Sequence, residues 1–433
     1  MRIVHFTDTY LPRRDGVITS VRTLVAAQSA AGHRALTVVP RHRDQPAGPD
    51  LLRLRAMPVG RADLRVSPWL LRDAAARGTL RRIAEFAPDI LHVHTPGPIG
   101  LLGVLAAGRL GIPLVQTYHT DLHAYAEAYR IPVPALRMGL RLYARRLDAP
   151  RPSLRPAPTA PASGRRSRAS AHRHAALDAC NGLLLGDADA VVVPSRVVLD
   201  RITLPVPADR IHIVPTAVAP YPVTARALAA FRARHRIGPA EPVVLFVGRV
   251  NREKGMDLLL SAFEHVVARR PDARLVLVGA VYEPRWLAGL LRAAGPAVAA
   301  RTVLAGEQPP EAVAAACAAA RVFAFPSRTD TQALVLQEAA LVGLPAVVAD
   351  PVLHRRGPLG GHAVHADATP EAFGAAVADL LTDGERAAAL GSAAAAHVAG
   401  YTPAAYAEAM HAVYRRASSP RLSPLEVGAA RPH

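Results

Sequence analysis

The sequence predicts an α/β protein of two domains, each built on a parallel sheet, with the two sheets facing each other across a cleft. Three observations carry this reading. Short apolar runs alternate with stretches of helical apolar spacing through both halves of the chain. At 433 residues the chain exceeds what one hydrophobic core usually supports. Apolar residues make up 51% and aromatic residues only 5%, which suits a large α/β protein rich in Ala, Val and Leu.

In chain order, Ile3 to Phe6 reads as a first strand, Thr7 to Gly16 as a loop, and the next helix carries Val17, Val21, Leu24, Val25 and Gln28 on one face. Because this strand directly follows Met1, no signal peptide is expected ahead of the fold. Ala35 to Val39, Ile90 to Val93 and Leu114 to Gln116 are further strands. Leu136, Leu140, Tyr143 and Leu147 then form an apolar stripe flanked by Arg137, Arg141 and Arg145. A basic amphipathic helix of this kind either packs its stripe inward beneath a solvated arginine face or lies on an anionic membrane surface.

Five prolines fall in the twelve residues from Pro150 to Pro161, and Ser-Gly-Arg-Arg-Ser-Arg follows shortly after. Such a composition does not pack, so Ala149 to about His174 is expected to be a disordered loop inside the first domain. The second half repeats the β/α rhythm, with strands at Val243 to Val247, Leu275 to Val278 and Val322 to Phe325 and helices after Gly255, Pro310 and Ala333. A last helix, Thr402 to Arg416, carries Tyr406, Met410 and Val413 on one face. The pattern divides the chain into a first domain over 1–218, a second over 219–400, this closing helix over 401–416 and a loose tail over 417–433.

Composition narrows the function classes. Cys180 and Cys317 are too few for a disulfide framework or a cysteine-based metal site. No apolar run reaches the about 18 to 20 residues needed to span a bilayer, so a cytoplasmic protein is expected, with any membrane contact peripheral. The net charge is +18, but ten arginines against Asp148 and Asp178 between Ile131 and Cys180 supply +8 of it. The charge is local, and no nucleic-acid motif, aromatic-interleaved basic stripe or zinc-finger spacing surrounds it, so nucleic acid is not an expected partner.

Lys254 is the only lysine; the other 51 basic residues are arginines. It lies in a loop that follows the apolar run Val243 to Val247 and precedes Leu258, Leu259, Ala262, Phe263, Val266 and Val267 at helical spacing. In a strand, turn and helix unit the loop at the carboxyl end of the strand opens onto a ligand crevice. Arg249 and Lys254 both lie on it, and two cations of different shape facing one pocket suit a diphosphate. A solvated surface lysine is the bland alternative for this one residue.

The Gly248 to Gly255 loop, together with Phe325-Pro-Ser-Arg-Thr-Asp-Thr-Gln-Ala-Leu-Val-Leu-Gln-Glu338 and Ala-Ala-Leu-Val-Gly-Leu-Pro345, resembles the retaining glycosyltransferases of the GT-B fold, family 4 type. The similarity runs over nearly the whole chain except the insertion and the tail. It implies two Rossmann-like domains, the second holding a nucleotide diphosphate sugar and the first an acceptor. By resemblance Glu338 binds the ribose hydroxyls and Asp330 holds hydroxyls of the donor sugar. Arg249 and Lys254 neutralise the departing diphosphate, so neither a metal nor a cofactor is expected. The closing helix is expected to cross back to the first domain.

Two departures mark this chain. Asp330 stands where the family more often has Glu, and Ala333 where it usually has Gly. If that backbone needs positive φ, alanine costs about 1 to 2 kcal/mol; if the glycine only allows close approach, the methyl narrows the pocket. The Gly-Asp-Gly-Pro of many relatives is also missing after the Leu275 strand, where Gly279 leads into Ala-Val-Tyr-Glu-Pro.

In the first half, Gly16 sits where relatives place a glycine loop near the donor phosphate, at a helix N-terminus that offers backbone N–H groups to an anion. Gln116-Thr-Tyr-His-Thr-Asp121 follows a strand and is similar to segments in relatives that glycosylate lipids or polyols. His119 is therefore expected to contact the donor sugar or the acceptor, and Asp121 to orient it or bind acceptor hydroxyls; a structural histidine at a strand end is the alternative. Asp187-Ala-Asp189 reads as the end of a turn rather than a metal site, and neither His92-x-His94 nor His172-x-His174 has a further ligand evident nearby.

The function expected is retaining transfer of a hexose, of mannose or glucose type, from a UDP- or GDP-sugar to an acceptor hydroxyl of a lipid, polyol or glycoside, with a lipid or glycolipid favoured. Leu304 to Gln308 does not discriminate between the two bases. The rival readings are a soluble-metabolite acceptor and a nucleotide-sugar-binding protein without transfer activity.

Overall fold

The computed structural model describes residues 1–46, 48–59, 64–67, 70, 73–119, 133–146 and 168–419. Two parallel sheets organise them. The first joins β1 (Arg2–Phe6), β2 (Arg34–Pro40), β3 (Leu51–Leu54), β6 (Ile90–Val93), β7 (Leu114–Thr117), β8 (Ala190–Val193) and β9 (Ile211–Ile213) in the order β3-β2-β1-β6-β7-β8-β9. A separate antiparallel pair, β4 (Met57–Val59) and β5 (Leu64–Val66), lies outside it. The second sheet joins β10 (Val243–Val247), β11 (Arg274–Val278), β12 (Thr302–Gly306), β13 (Val322–Phe325), β14 (Ala346–Val348) and β15 (Val364–His365) in the order β12-β11-β10-β13-β14-β15.

β10 and β13 are apolar along their length and buried at every residue because helices cover both faces of the second sheet. Strand order reverses between β1 and β6 in the first sheet and between β10 and β13 in the second. At such a switch point the connections leave on opposite faces, opening a crevice beyond the carboxyl ends of the strands.

The last helix, Pro403–Ser418, is capped by Thr402, whose hydroxyl accepts from the Ala405 N–H at 3.1 Å. Its buried Tyr406, Met410, Val413 and Tyr414 pack with Ile3, Leu24, Ile90 and Val115 of the first domain. It runs to Ser418, so the tail expected from 417 begins at least two residues later.

The expected disordered loop needs a larger correction. Residues 168–174 belong to a helix, Arg168–Leu185, so His172 and His174 are helical. The composition that suggested disorder ends at Arg168, the first residue of the helix, and Leu177 and Leu184 supply the buried anchors. Residues 147–167 lie outside the described residues, as does Leu147 of the apolar stripe.

The basic helix forms as Val133–Arg146 and packs against Arg168–Leu185. Leu140 and Ala144 are buried there, whereas Met138 is 56% and Leu142 38% exposed beside the exposed Arg141 and Arg145. Its outer face is therefore apolar as well as basic. Among the described residues no helix is long and apolar enough to cross a membrane.

Candidate functional site

The loops after β10 and β13 meet at the second sheet's switch point because glycine lets their backbones touch. Gly255 takes a left-handed conformation at φ 69°, and a β-carbon there would lie 2.9 Å from the Pro326 carbonyl oxygen. Lys254 sits one residue before this contact, and its Nζ donates to Asp330 Oδ1 at 2.6 Å. The Ser327 hydroxyl donates to the other carboxylate oxygen of Asp330. Arg249 pairs with Glu253 within the β10 loop. Burial alone pushes the Asp330 carboxyl up, but the Lys254 charge and hydrogen bond, the Ser327 hydroxyl and the Arg249 charge together hold it below the ordinary carboxylate range.

Helix Leu334–Leu341 starts directly after this loop, and Ala333 precedes it at φ 60° and ψ 70°. The position does require the left-handed backbone that glycine adopts freely, and the alanine methyl is buried. Glu338 lies one turn into the helix, where burial pushes its carboxyl up to about 7.

The first domain grips three consecutive residues of the β13 loop. Arg201 Nη1 donates to the Asp330 carbonyl at 2.9 Å, and Ser195 donates to the Thr331 carbonyl. The Thr331 hydroxyl donates to the His119 carbonyl at 3.0 Å. Gln332 exchanges two bonds with the Thr216 backbone, at 3.1 and 2.9 Å. Arg14 also reaches across, donating to the Gln308 carbonyl at 3.0 Å. Gly16 opens helix Gly16–Ala30 close to Leu334, so the N-termini of two helices from different domains converge. Asp15 caps the first of them by accepting from the Ile18 N–H at 3.0 Å.

His119 lies at the end of β7 beside a histidine cluster that the sequence reading did not find. His5 and His92 stand opposite each other in the register of β1 and β6, and His94 follows directly after β6. His5, His92 and His94 are all buried, and one ligand atom from each lies within 4.8 Å of the others. The expectation that His92 and His94 lack a further ligand is corrected here: His5 comes from a strand about ninety residues away in sequence. His94 Nδ1 is 3.2 Å from His119 Nε2. Asp189 accepts from the Leu114 N–H at 2.8 Å, tying the start of β8 to the start of β7.

The structure thus brings Arg249, Lys254 and Asp330 together, sets Glu338 on the adjoining helix, and turns Gly16 and His119 toward the same interface between domains. Asp121 lies outside the described residues. Partners that the sequence reading missed are Ser327, Glu253, Arg201 and the histidines behind His119. Motif spacing says nothing of such partners; the one available signal was the matched pattern Ile-Val-His-Phe at 3–6 and Ile-Leu-His-Val at 90–93 in two expected strands.

Comparison with known proteins places the chain among similar proteins of one fold. Residues 14–220 match the family described as Glycosyltransferase Family 4, and residues 241–383 match Glycosyl transferases group 1. A GDP-mannose-dependent alpha-mannosyltransferase of Mycobacterium tuberculosis is 28% identical over 356 residues, covering 81% of this chain and 79% of the relative. An alpha-monoglucosyldiacylglycerol synthase of Streptococcus pneumoniae is 25% identical over 359 residues, covering 80% of this chain and 70% of the relative. Among solved structures, sucrose-phosphate synthase from Thermosynechococcus elongatus superposes with a TM-score of 0.69 at 21% identity, covering 96% of this chain and 98% of the other.

Proposed function

The chain belongs to glycosyltransferase family 4, of the GT-B fold, and from that premise we propose that it transfers a hexose from a nucleoside diphosphate sugar to an acceptor hydroxyl, with retention at the anomeric carbon and without a metal ion. The observation that carries this reading is the contact between Lys254 and Asp330 beside Arg249 at the second switch point. A sugar diphosphate has a polyhydroxyl end and a dianionic end. A carboxylate that accepts from hydroxyls, next to two cations that meet phosphate oxygens, fits both ends at once.

In this reading Glu338 accepts hydrogen bonds from the ribose hydroxyls and Asp330 from hydroxyls of the donor sugar. Negative charge grows on the diphosphate as the bond from its oxygen to the anomeric carbon breaks. Arg249 and Lys254 meet that charge from fixed positions, with backbone N–H groups near Gly16 assisting from the other domain. His119 contacts the donor sugar or the acceptor alcohol, and Asp121 binds acceptor hydroxyls. The grip of the first domain on residues 330–332 supports a closed site that excludes water, a competing acceptor.

A lipid or glycolipid acceptor is favoured over a soluble metabolite by Met138 and Leu142, exposed between arginines on the Val133–Arg146 helix. The similarity to a GDP-mannose-dependent mannosyltransferase and to a monoglucosyldiacylglycerol synthase keeps GDP-mannose and a nucleoside diphosphate glucose as the leading donors. The test is release of UDP or GDP from a panel of nucleotide sugars, with and without a crude lipid extract. Release from one donor that rises with lipid supports the reading. Donor binding without release, whatever acceptor is supplied, would make this a non-catalytic binding protein.

A further inference from the structure

A file of buried side chains runs from the closing helix to the cleft. Gln28 Nε2 donates to the Tyr414 hydroxyl at 3.2 Å, and Gln28 Oε1 lies 2.9 Å from His5 Nε2. His5 Nδ1 lies 3.0 Å from His94 Nε2, and His94 Nδ1 lies 3.2 Å from His119 Nε2. On the other side of Tyr414, the hydroxyl is 2.8 Å from His92 Nδ1, and His92 Nε2 is 2.7 Å from the Thr117 hydroxyl. Gln28, His5 and His94 are buried, and Tyr414 is wholly so.

Burial keeps these rings uncharged, lowering His5 and His119 to about 4 and His94 well below the ordinary histidine value. A neutral imidazole has one N–H and one lone pair, so a file of such rings carries a single direction. That direction begins at Gln28. Its NH₂ faces Tyr414, so its carbonyl oxygen faces His5 and must receive a proton from His5 Nε2. His5 Nδ1 is then the acceptor for His94 Nε2–H, and His94 Nδ1 is the acceptor for His119 Nε2–H.

We propose that this file holds His119 as its Nε2–H tautomer, which makes Nδ1 the lone-pair nitrogen that accepts a hydrogen bond from a substrate hydroxyl. Gln28, His5, His94 and Tyr414 are positioning residues for that tautomer. Reversal of the Gln28 amide would reverse every bond along the file and turn His119 Nδ1 into a donor. The Tyr414 hydroxyl opposes that reversal, because it accepts from Gln28 when it donates to His92. The assignment of a substrate contact to His119 rests on the proposed sugar transfer; the tautomer itself does not.

The test is two-bond nitrogen–proton correlation NMR on full-length protein labelled with ¹⁵N-histidine, which separates the two tautomers and the imidazolium. The His119 signal is assigned by its loss in His119→Gln. The expected result at neutral pH is the Nε2–H pattern in wild type and a mixture of both tautomers in Tyr414→Phe. An Nδ1–H or doubly protonated His119 in wild type overturns the proposal, and so does a Tyr414→Phe spectrum identical to wild type. One metal ion per purified chain, displaced by chelator with a change in the His5, His92 and His94 signals, also overturns it, because the metal would take the nitrogens that the file uses. No donor sugar is needed, so an Nε2–H result without sugar transfer would remove the proposed function and leave the tautomer standing.

Discussion

Lys254 Nζ lies 2.6 Å from Asp330 Oδ1, joining the loop after β10 to the loop after β13 across the switch point of the second sheet. Each group is mostly buried, with side-chain exposures of 12% and 16%. The geometry of the pair suits a lysine better than the arginine that the chain uses elsewhere. A compact ammonium fits against one carboxylate oxygen while Ser327 takes the other, whereas a planar guanidinium needs a wider, two-pronged approach.

Lys254→Arg is therefore expected to lose at least about tenfold in turnover, and Lys254→Ala more. Lys254→Ala also strands Asp330 without its main counter-charge, a loss of about 3 kcal/mol for a pair this buried. Steady-state release of nucleoside diphosphate checks the first effect and urea unfolding the second. Near-normal turnover in Lys254→Arg would remove the argument drawn from the lone lysine.

Glu338 makes stability depend on pH. Its carboxyl titrates at about 7 in the folded protein against 4.5 when unperturbed. The folded state holds the proton more tightly, so stability contributed by this group falls as pH rises from about 4.5 to about 7. Glu338→Gln should be more stable than wild type at pH values above that window, by about 3 kcal/mol, with the difference vanishing below it. Urea midpoints on the two sides of the window measure this, and an equal difference on both sides would disprove it. The same variant should raise the donor KM.

At Ala333 the backbone is left-handed, φ 60°, where a β-carbon is strained. Ala333→Gly is expected to stabilise the protein by about 1 kcal/mol, less whatever the unfolded chain gains in freedom. A lower unfolding midpoint would show that the buried methyl packs favourably enough to outweigh the strain.

On the Val133–Arg146 helix, Met138→Ser combined with Leu142→Ser should leave folding intact, since both side chains are exposed. Co-sedimentation with vesicles containing anionic lipid should fall at least about fivefold, while nucleotide release with a soluble acceptor stays unchanged. Equal pelleting of variant and wild type would end the membrane reading.

Much of the fold was legible because its signals are local. The runs at 3–6, 90–93, 243–247 and 322–325 are apolar apart from His5 and His92 and become the strands that flank both switch points. At the site, Lys254, Asp330 and Ala333 stood out through composition and resemblance, and the structure adds their geometry. The histidine file was not legible, because Gln28, His5, His94 and Tyr414 come from four separate elements and meet only through the register of β1 with β6 and the docking of the last helix. Gln28 reads in sequence as one more position on the face of its helix, and nothing local singles out Tyr414 on the last one. Arginine content, by contrast, pulled the expected disorder too far, into the helix that begins at Arg168.

The return of helix Pro403–Ser418 to the first sheet fixes an order of events during synthesis. Tyr406 and Tyr414 bond Ser20 and Gln28, both 386 residues earlier in the chain. While the second domain is being made, the nascent first domain leaves Ile3, Leu24, Ile90 and Val115 without the apolar cover that this helix provides. A sheet made early is thus among the last parts of the fold to be completed, and its apolar face stays open to misassociation until this helix has left the exit tunnel.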